Sequence, residues 1–334
     1  MNIFGRLFKI SIFGESHGKC VGVLIDGCPA GLALSVEDFS VDLERRKSGK
    51  PGTTARREED VPLITTGLFN GRTTGAPLLI LFENKDTDSD AYESIRLTPR
   101  PGHADFVAAQ KFGGFNDYRG GGTFSGRLTA ALVAAGVVAK KLLHPVNVKA
   151  QLTEVGGETE IEPAVEKAVR MHDSIGGIVE CRVSGLPVGL GEPFFDSVES
   201  LLSHLIFSIP GIKGIEFGAG FACGRMSGSE YNDEIISMTG ETRTNNAGGI
   251  NGGITNGNEL FFRVAVKPTS SISKAQTTID MKTGRPCELF VKGRHDTCIA
   301  LRVPVIVEAA TAVVMADLML VEQRFPRVSP WKSI

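Results

Sequence analysis

Two stretches of this chain are too apolar to face water. Residues 127–143 carry Leu128, Ala130, Ala131, Leu132, Val133, Ala134, Ala135, Val137 and Val138, and residues 306–320 are again rich in alanine and valine with few charges. At helical spacing these side chains cover nearly the whole circumference, and a helix apolar on every face belongs inside a core. The two stretches also resemble each other, 135–143 against 311–320, which hints at an internal duplication with two paired core helices. With 334 residues, 42% of them hydrophobic, there is enough chain for a large core. No linker with a shift of composition divides the chain, so one domain over 1–334 is expected. Forty glycines against one tryptophan, many in clusters, favour tight turns and close backbone–ligand contacts over a plain bundle.

The formal net charge of −2 argues against a protein that binds polyanions over its whole surface. Affinity for an acidic ligand must come from local clustering. The six cysteines form no CxxC pair and no zinc-ligand spacing, which suits reduced thiols and no metal site. Residues 1–6 carry no apolar signal core, and no charge-free apolar run of 18 residues occurs. A soluble, cytoplasmic protein is expected, without a membrane partner.

Taken in order, 7–12 and 20–26 read as two strands around a glycine turn, and Ser35 is placed to cap a helix from Val36 to about Lys47. Strands are expected at 62–66, 77–82, 146–155, 177–184 and 259–266, and helices at 104–112, 162–171 and 197–207. The segment Asp86 to Tyr92 is acidic and polar and is expected at the surface.

Several stretches carry chemistry. Histidines stand in glycine-rich settings at Gly14-Glu15-Ser16-His17-Gly18, Arg100-Pro101-Gly102-His103-Ala104-Asp105 and Gly293-Arg294-His295-Asp296. Residues 45–57 hold six basic residues and no acid in a loop broken by two glycines and a proline. That pattern fits a solvated loop, a nucleic-acid patch or an anion site closed by a mobile loop. The run Tyr118–Arg127 brings four glycines to a helix start, a potential anion cradle of backbone N–H groups, although it is neither a Walker A motif nor a dinucleotide fingerprint. Lys267-Pro268-Thr269-Ser270-Ser271 ends a strand with one point charge and three hydroxyls, a pattern suited to phosphate.

Together these motifs resemble the chorismate synthase family: GESHG at 14–18, RPGHAD at 100–105, DYRGGG at 117–122, IKGIEFGAGF at 212–221, AGGINGGITNG at 247–257, KPTSS at 267–271 and KGRHD at 292–296. The resemblance covers nearly the whole chain. It implies an α+β fold, a β-α-β sandwich with an internal pseudo-repeat, whose paired buried helices are flanked by antiparallel sheets. It implies the 1,4-anti elimination of phosphate from 5-enolpyruvylshikimate 3-phosphate to give chorismate, a step of the shikimate pathway. It implies reduced FMN as cofactor, NADPH or an external flavin reductase as the source of its electrons, and a homotetramer.

The resemblance makes His17 and His103 acid–base groups and puts Asp296 beside the flavin as a proton relay. Ser16, Arg46, Arg100 and Arg127 become candidates for the substrate, whose two carboxylates and phosphate call for several cations. Thr123, Phe124, Ser125, Gly252, Lys267, Pro268, Thr269, Ser270, Ser271 and Arg294 fall at FMN-contacting positions. Arg46 also matches a position that the family associates with a nicotinamide cofactor. The chain departs from the family where Thr123-Phe124-Ser125-Gly126-Arg127-Leu128-Thr129 replaces Arg-Ser-Ser-Ala-Arg-Glu-Thr, and where Gly52 stands in place of a second basic residue. Two other readings are a non-catalytic relative that binds phosphate or flavin, and a nucleic-acid-binding protein working through 45–57. Against the latter, aromatic residues do not interleave with that charge.

Overall fold

The computed structural model describes residues 2–93, 95–291 and 295–323. Both apolar stretches are helices, Thr129–Leu143 and Val303–Val321. Each is covered on one side by an antiparallel sheet and on the other by its twin. The first sheet has the order Ile3–Phe4, Lys9–Gly14, Cys20–Asp26, Leu78–Glu83, Leu63–Thr66. The second has the order Ile212–Phe217, Leu260–Val266, Gly177–Ser184, Asn147–Val155. The strands alternate as half-buried strands should: Leu260, Phe262, Val264 and Val266 point inward, as do Leu78, Ile80 and Phe82. Burial of each large apolar side chain contributes about 1.5–3 kcal/mol. The result is the α+β sandwich expected from the resemblance.

The two helices touch closely because their facing residues are small. A Cβ added to Gly136 would lie 2.3 Å from Ala309 Cβ, so the helices meet where one has no side chain and the other a single methyl. The helix around residues 299–321 is long and apolar enough to cross a bilayer, yet 83% of its most apolar stretch is buried inside the fold. It also carries two buried carboxylates. Asp317 accepts backbone N–H bonds from Arg6, Leu7 and Phe8 at 2.7–3.0 Å and so fixes the start of the first sheet. Glu308 accepts from both terminal nitrogens of Arg45 (2.7 and 2.6 Å), from Lys140 Nζ at 2.7 Å and from the Ala150 N–H at 2.9 Å. This network anchors the short helix Ser40–Arg46, whose last residue then points towards the functional site.

Local details differ from expectation in ways the chain explains. The helix at 36–47 begins as a 3-10 turn, Val36–Phe39, closed by a capping box between Ser35 and Asp38. The helix at 127–143 starts properly at Thr129, after a 3-10 turn whose N-cap is Ser125. A hairpin, Gln276–Asp280 with Arg285–Leu289, was not legible in the sequence. All six cysteines are free.

Candidate active site

A cleft of about 800 Å³ gathers residues from every quoted motif except 247–257, a size in the range of pockets that enclose small molecules and cofactors (roughly 300–1,000 Å³). Among the described residues, eight cationic side chains line it against three carboxylates, so a chain of slightly negative net charge concentrates positive charge in one place.

The triple glycine makes the floor. Gly120, Gly121 and Gly122 have φ of +58°, +82° and +53°, and Gly122 O accepts the Ser16 N–H at 3.1 Å, which joins the first motif to the third. His17 is not among the residues lining the cleft; its ring lies against Gly120, which does line it. A Cβ on Gly120 would come within 2.6 Å of His17 Nε2. His17 Nδ1 is 3.0 Å from Ser89 Oγ, and its ring meets Tyr92 edge to face at 5.3 Å. The segment 86–92 lies at the surface as expected, and it brings Ser89 and Tyr92 onto the candidate histidine. Burial, then the charges of Arg56 and Arg119, hold the His17 pKa below its ordinary value. The ligand-free imidazole is neutral at pH 7.

His103 is differently placed. Its Nδ1 lies 2.6 Å from Asp105 Oδ1 and 3.1 Å from Arg100 Nη2. The nitrogen cannot donate to one and accept from the other at once. Arg100 Nη2 already donates to Asp105 Oδ1 at 2.8 Å, so the favourable arrangement has Nδ1–H donating to the carboxylate. Nε2 is then the open nitrogen, on the side of the ring near Gly121. Burial works to raise the Asp105 pKa, but the Arg100 and His103 contacts hold it well below the usual carboxylate range.

The three candidate arginines within the described residues and the two other candidate clusters reach the same cleft, with unequal freedom. Arg100 is engaged at every nitrogen, with Nε on Asp105 Oδ2 at 2.7 Å and Nη1 on Ser271 Oγ at 3.0 Å. Arg127 is engaged likewise, with Asp60, Asn84 and Glu83. Arg46 pairs with Asp60 through Nη2 alone; its Nε and Nη1 are buried without a partner. Asp296 accepts the Thr54 N–H at 3.0 Å and lies 3.3 Å from Arg302. Lys267 is less free than its motif suggests: Nζ bonds Ser270 Oγ at 2.7 Å and Gly102 O at 3.1 Å, latching the histidine loop to the second sheet. Of the three hydroxyls after it, Thr269 Oγ1 is buried without a partner. Thr123, Phe124, Ser125 and Pro268 line the wall, and Phe124 leans on Phe112 with ring centroids 6.4 Å apart. Gly252 is exposed in a tight turn and is not among the lining residues. Arg294 lies outside the described residues.

Sequence reasoning overlooked Asp60, Asp105, Arg56 and Arg302. Asp105 follows a histidine by two residues inside a quoted motif, and Arg56 stands in the basic loop, so both left a trace. Arg56 reaches Ser16 Oγ at 2.8 Å. Asp60 closes an acidic run, Glu58-Glu59-Asp60, that reads as a solvated face.

The comparisons with known proteins agree with one another. The family model described as chorismate synthase matches residues 8–320. A chorismate synthase of Chitinophaga pinensis is 64% identical over 98% of this chain and 99% of its own length. One from Dehalococcoides mccartyi is 47% identical over 98% of this chain and 99% of its own. A solved structure, a crystal structure of chorismate synthase, superposes with a TM-score of 0.74 at 25% identity, covering 96% of this chain and 93% of that one.

Proposed function

This chain belongs to the chorismate synthase family, and we propose that the cleft between its glycine-rich loops is where phosphate is eliminated from 5-enolpyruvylshikimate 3-phosphate. The activity is that of the family: a carbon–oxygen lyase step giving chorismate. The observation that carries the assignment of the site is the excess of cations in one cleft beside an Asp-oriented histidine. A substrate with two carboxylates and a phosphate needs such a field, and its groups lose water on entering only where fixed donors replace it.

The substrate's anionic groups are received by Ser16, Arg46, Arg100 and Arg127 and by the wider field of Arg56, Lys213 and Arg302. His103, with Nδ1–H held by Asp105, keeps Nε2 open to take or return a proton. His17 is neutral without ligand. A phosphate beside it adds negative charge, which favours the imidazolium and equips it to protonate the departing phosphate. Asp296 serves as the relay for the ring proton.

The family implies a reduced flavin, and the residues present fit one. The cleft holds room for a second planar molecule, Thr269 offers an unsatisfied buried hydroxyl, and Phe124 an apolar wall. The chemistry a reduced flavin supplies when bound is transient electron donation to the allylic system, without net redox change. We assign the flavin as FMN, held by Thr123, Phe124, Ser125 and Lys267 to Ser271, with Gly252 and Arg294 as contacts drawn from the family resemblance alone. NADPH or an external reductase keeps it reduced. The whole chain acts as one domain of a cytoplasmic homotetramer. Purified protein, substrate and chemically reduced FMN without oxygen should release phosphate together with chorismate absorbance. Folded protein that releases neither would leave a binding protein.

A further inference from the structure

Asp60 takes no part in the steps above, yet the cleft's cations are built on it. Its carboxylate is fully buried and accepts Arg46 on Oδ2 and Arg127 on Oδ1. Its backbone lies in the left-handed region at φ +52°, where aspartate is tolerated better than most residues. Burial works to raise its pKa, and the two arginines overcome that and hold it ionised.

The two arginines play different parts. Arg127 is anchored on all sides: Nε to Asn84 Oδ1 at 2.8 Å, Nη2 to Glu83 O at 3.2 Å and Nη1 to Asp60. Arg46 is 3% exposed and has two nitrogens, Nε and Nη1, with no acceptor. A buried guanidinium left half-satisfied is costly unless something completes it. In the wall of a cationic cleft, the group that completes it is an oxygen-rich anion. Burial pushes the Arg46 pKa down to about 10; Asp60 opposes this, while Arg302 and Arg127 add to it.

We infer that Asp60 is a positioning residue that fixes Arg46 as the receptor for an anionic group of the substrate, with Arg127 as the second anchor of Asp60. The inference rests on the reading of this cleft as the substrate site. It separates three arginines that look alike in sequence: Arg46 has nitrogens free to bond the substrate directly, while Arg100 and Arg127, bonded at every nitrogen, add their charge to the same field from fixed positions.

The test compares wild type with Asp60→Asn, Asp60→Glu and the charge-balanced double variant Asp60→Asn/Arg127→Gln. Binding of 5-enolpyruvylshikimate 3-phosphate is followed by calorimetry, and turnover with reduced FMN is followed without oxygen. Asp60→Asn is expected to raise Kd and KM about tenfold to a hundredfold with kcat changed less than about threefold, the signature of lost binding rather than lost chemistry. Its affinity should also fall at a lower pH than that of wild type, because Arg46 has lost the carboxylate that keeps it protonated. Asp60→Glu should recover much of the affinity and the wild-type pH profile. The double variant covers the case in which Asp60→Asn does not fold, and should bind as weakly although the net charge of the cluster is that of wild type. Wild-type affinity and pH profile in either folded variant that lacks the Asp60 charge overturn the inference. A wild-type protein that does not bind the substrate overturns instead the reading on which it rests.

Discussion

Replacing Asp105 by asparagine changes almost no volume and should nevertheless disable His103. The carboxylate meets five demands: Oδ2 accepts from the Arg100 N–H at 3.1 Å and from Nε at 2.7 Å, while Oδ1 accepts from Arg100 Nη2 at 2.8 Å and faces His103 Nδ1 at 2.6 Å, and its charge balances Arg100. An amide has one acceptor end. With that end kept on Nε and the backbone N–H, the NH₂ group stands at the Oδ1 position and donates to Nδ1. His103 is then held as the Nε2–H tautomer, the opposite of the wild-type arrangement. The reversed amide puts a donor against two donors and is worse. General acid–base catalysis contributes about 10²–10⁴-fold, and the same exchange beside a protease histidine costs about four powers of ten, so turnover should fall by roughly 10²–10⁴. Arg100, 6% exposed, also loses its counter-charge, a loss of about 3–5 kcal/mol for a buried pair, reduced towards the lower end by the partial exposure of Asp105. The assay is anaerobic phosphate release with reduced FMN, alongside denaturant unfolding. Folded Asp105→Asn protein turning over within about threefold of wild type would show that the tautomer argument is wrong.

Three further outcomes follow from the charges described. The His17 pKa, held low by burial and by Arg56 and Arg119, should rise when the substrate's phosphate binds; an imidazole NMR titration that does not move on saturation would remove His17 from phosphate departure. His17→Ala should fold and slow phosphate release by about two to four powers of ten. Glu308→Gln should lower stability by about 1–3 kcal/mol at neutral pH. Burial raises the Glu308 pKa, but Arg45 and Lys140 outweigh it, and the folded value lies below the ordinary one. Its contribution is therefore present above the unfolded pKa of about 4.3 and is lost as pH falls through the folded value. The variant's stability should vary less with pH across that acidic window, and unchanged pH dependence in urea melts would contradict the assignment.

What the sequence reveals here is what depends on local pattern. The all-round apolar surfaces of 129–143 and 303–321 and the alternation of 260–266 declare burial without any knowledge of partners. The candidate site was legible as motifs, since glycine clusters and KPTSS are contiguous. Its wiring was not. Asp60 looks like the end of a solvated acidic run until two arginines, 14 and 67 residues away, close on it. Lys267 reads as a free point charge in the sequence, and the fold also ties its ammonium to Gly102, 165 residues distant. The segment at 86–92 lies at the surface as its composition suggests, but that composition gave no sign that Ser89 and Tyr92 would contact the His17 ring. Long-range pairing of charged groups leaves no period in a sequence, so these assignments come only from the fold.

The most direct test of the account is a crystal structure of the protein with FMN and 5-enolpyruvylshikimate 3-phosphate bound. The account expects a carboxylate or phosphate of the substrate within about 3 Å of Arg46 Nε or Nη1, with the ring between the His103 Nε2 side and the floor formed by Gly120. A substrate seated elsewhere, with the Arg46 nitrogens still unpartnered, would contradict it.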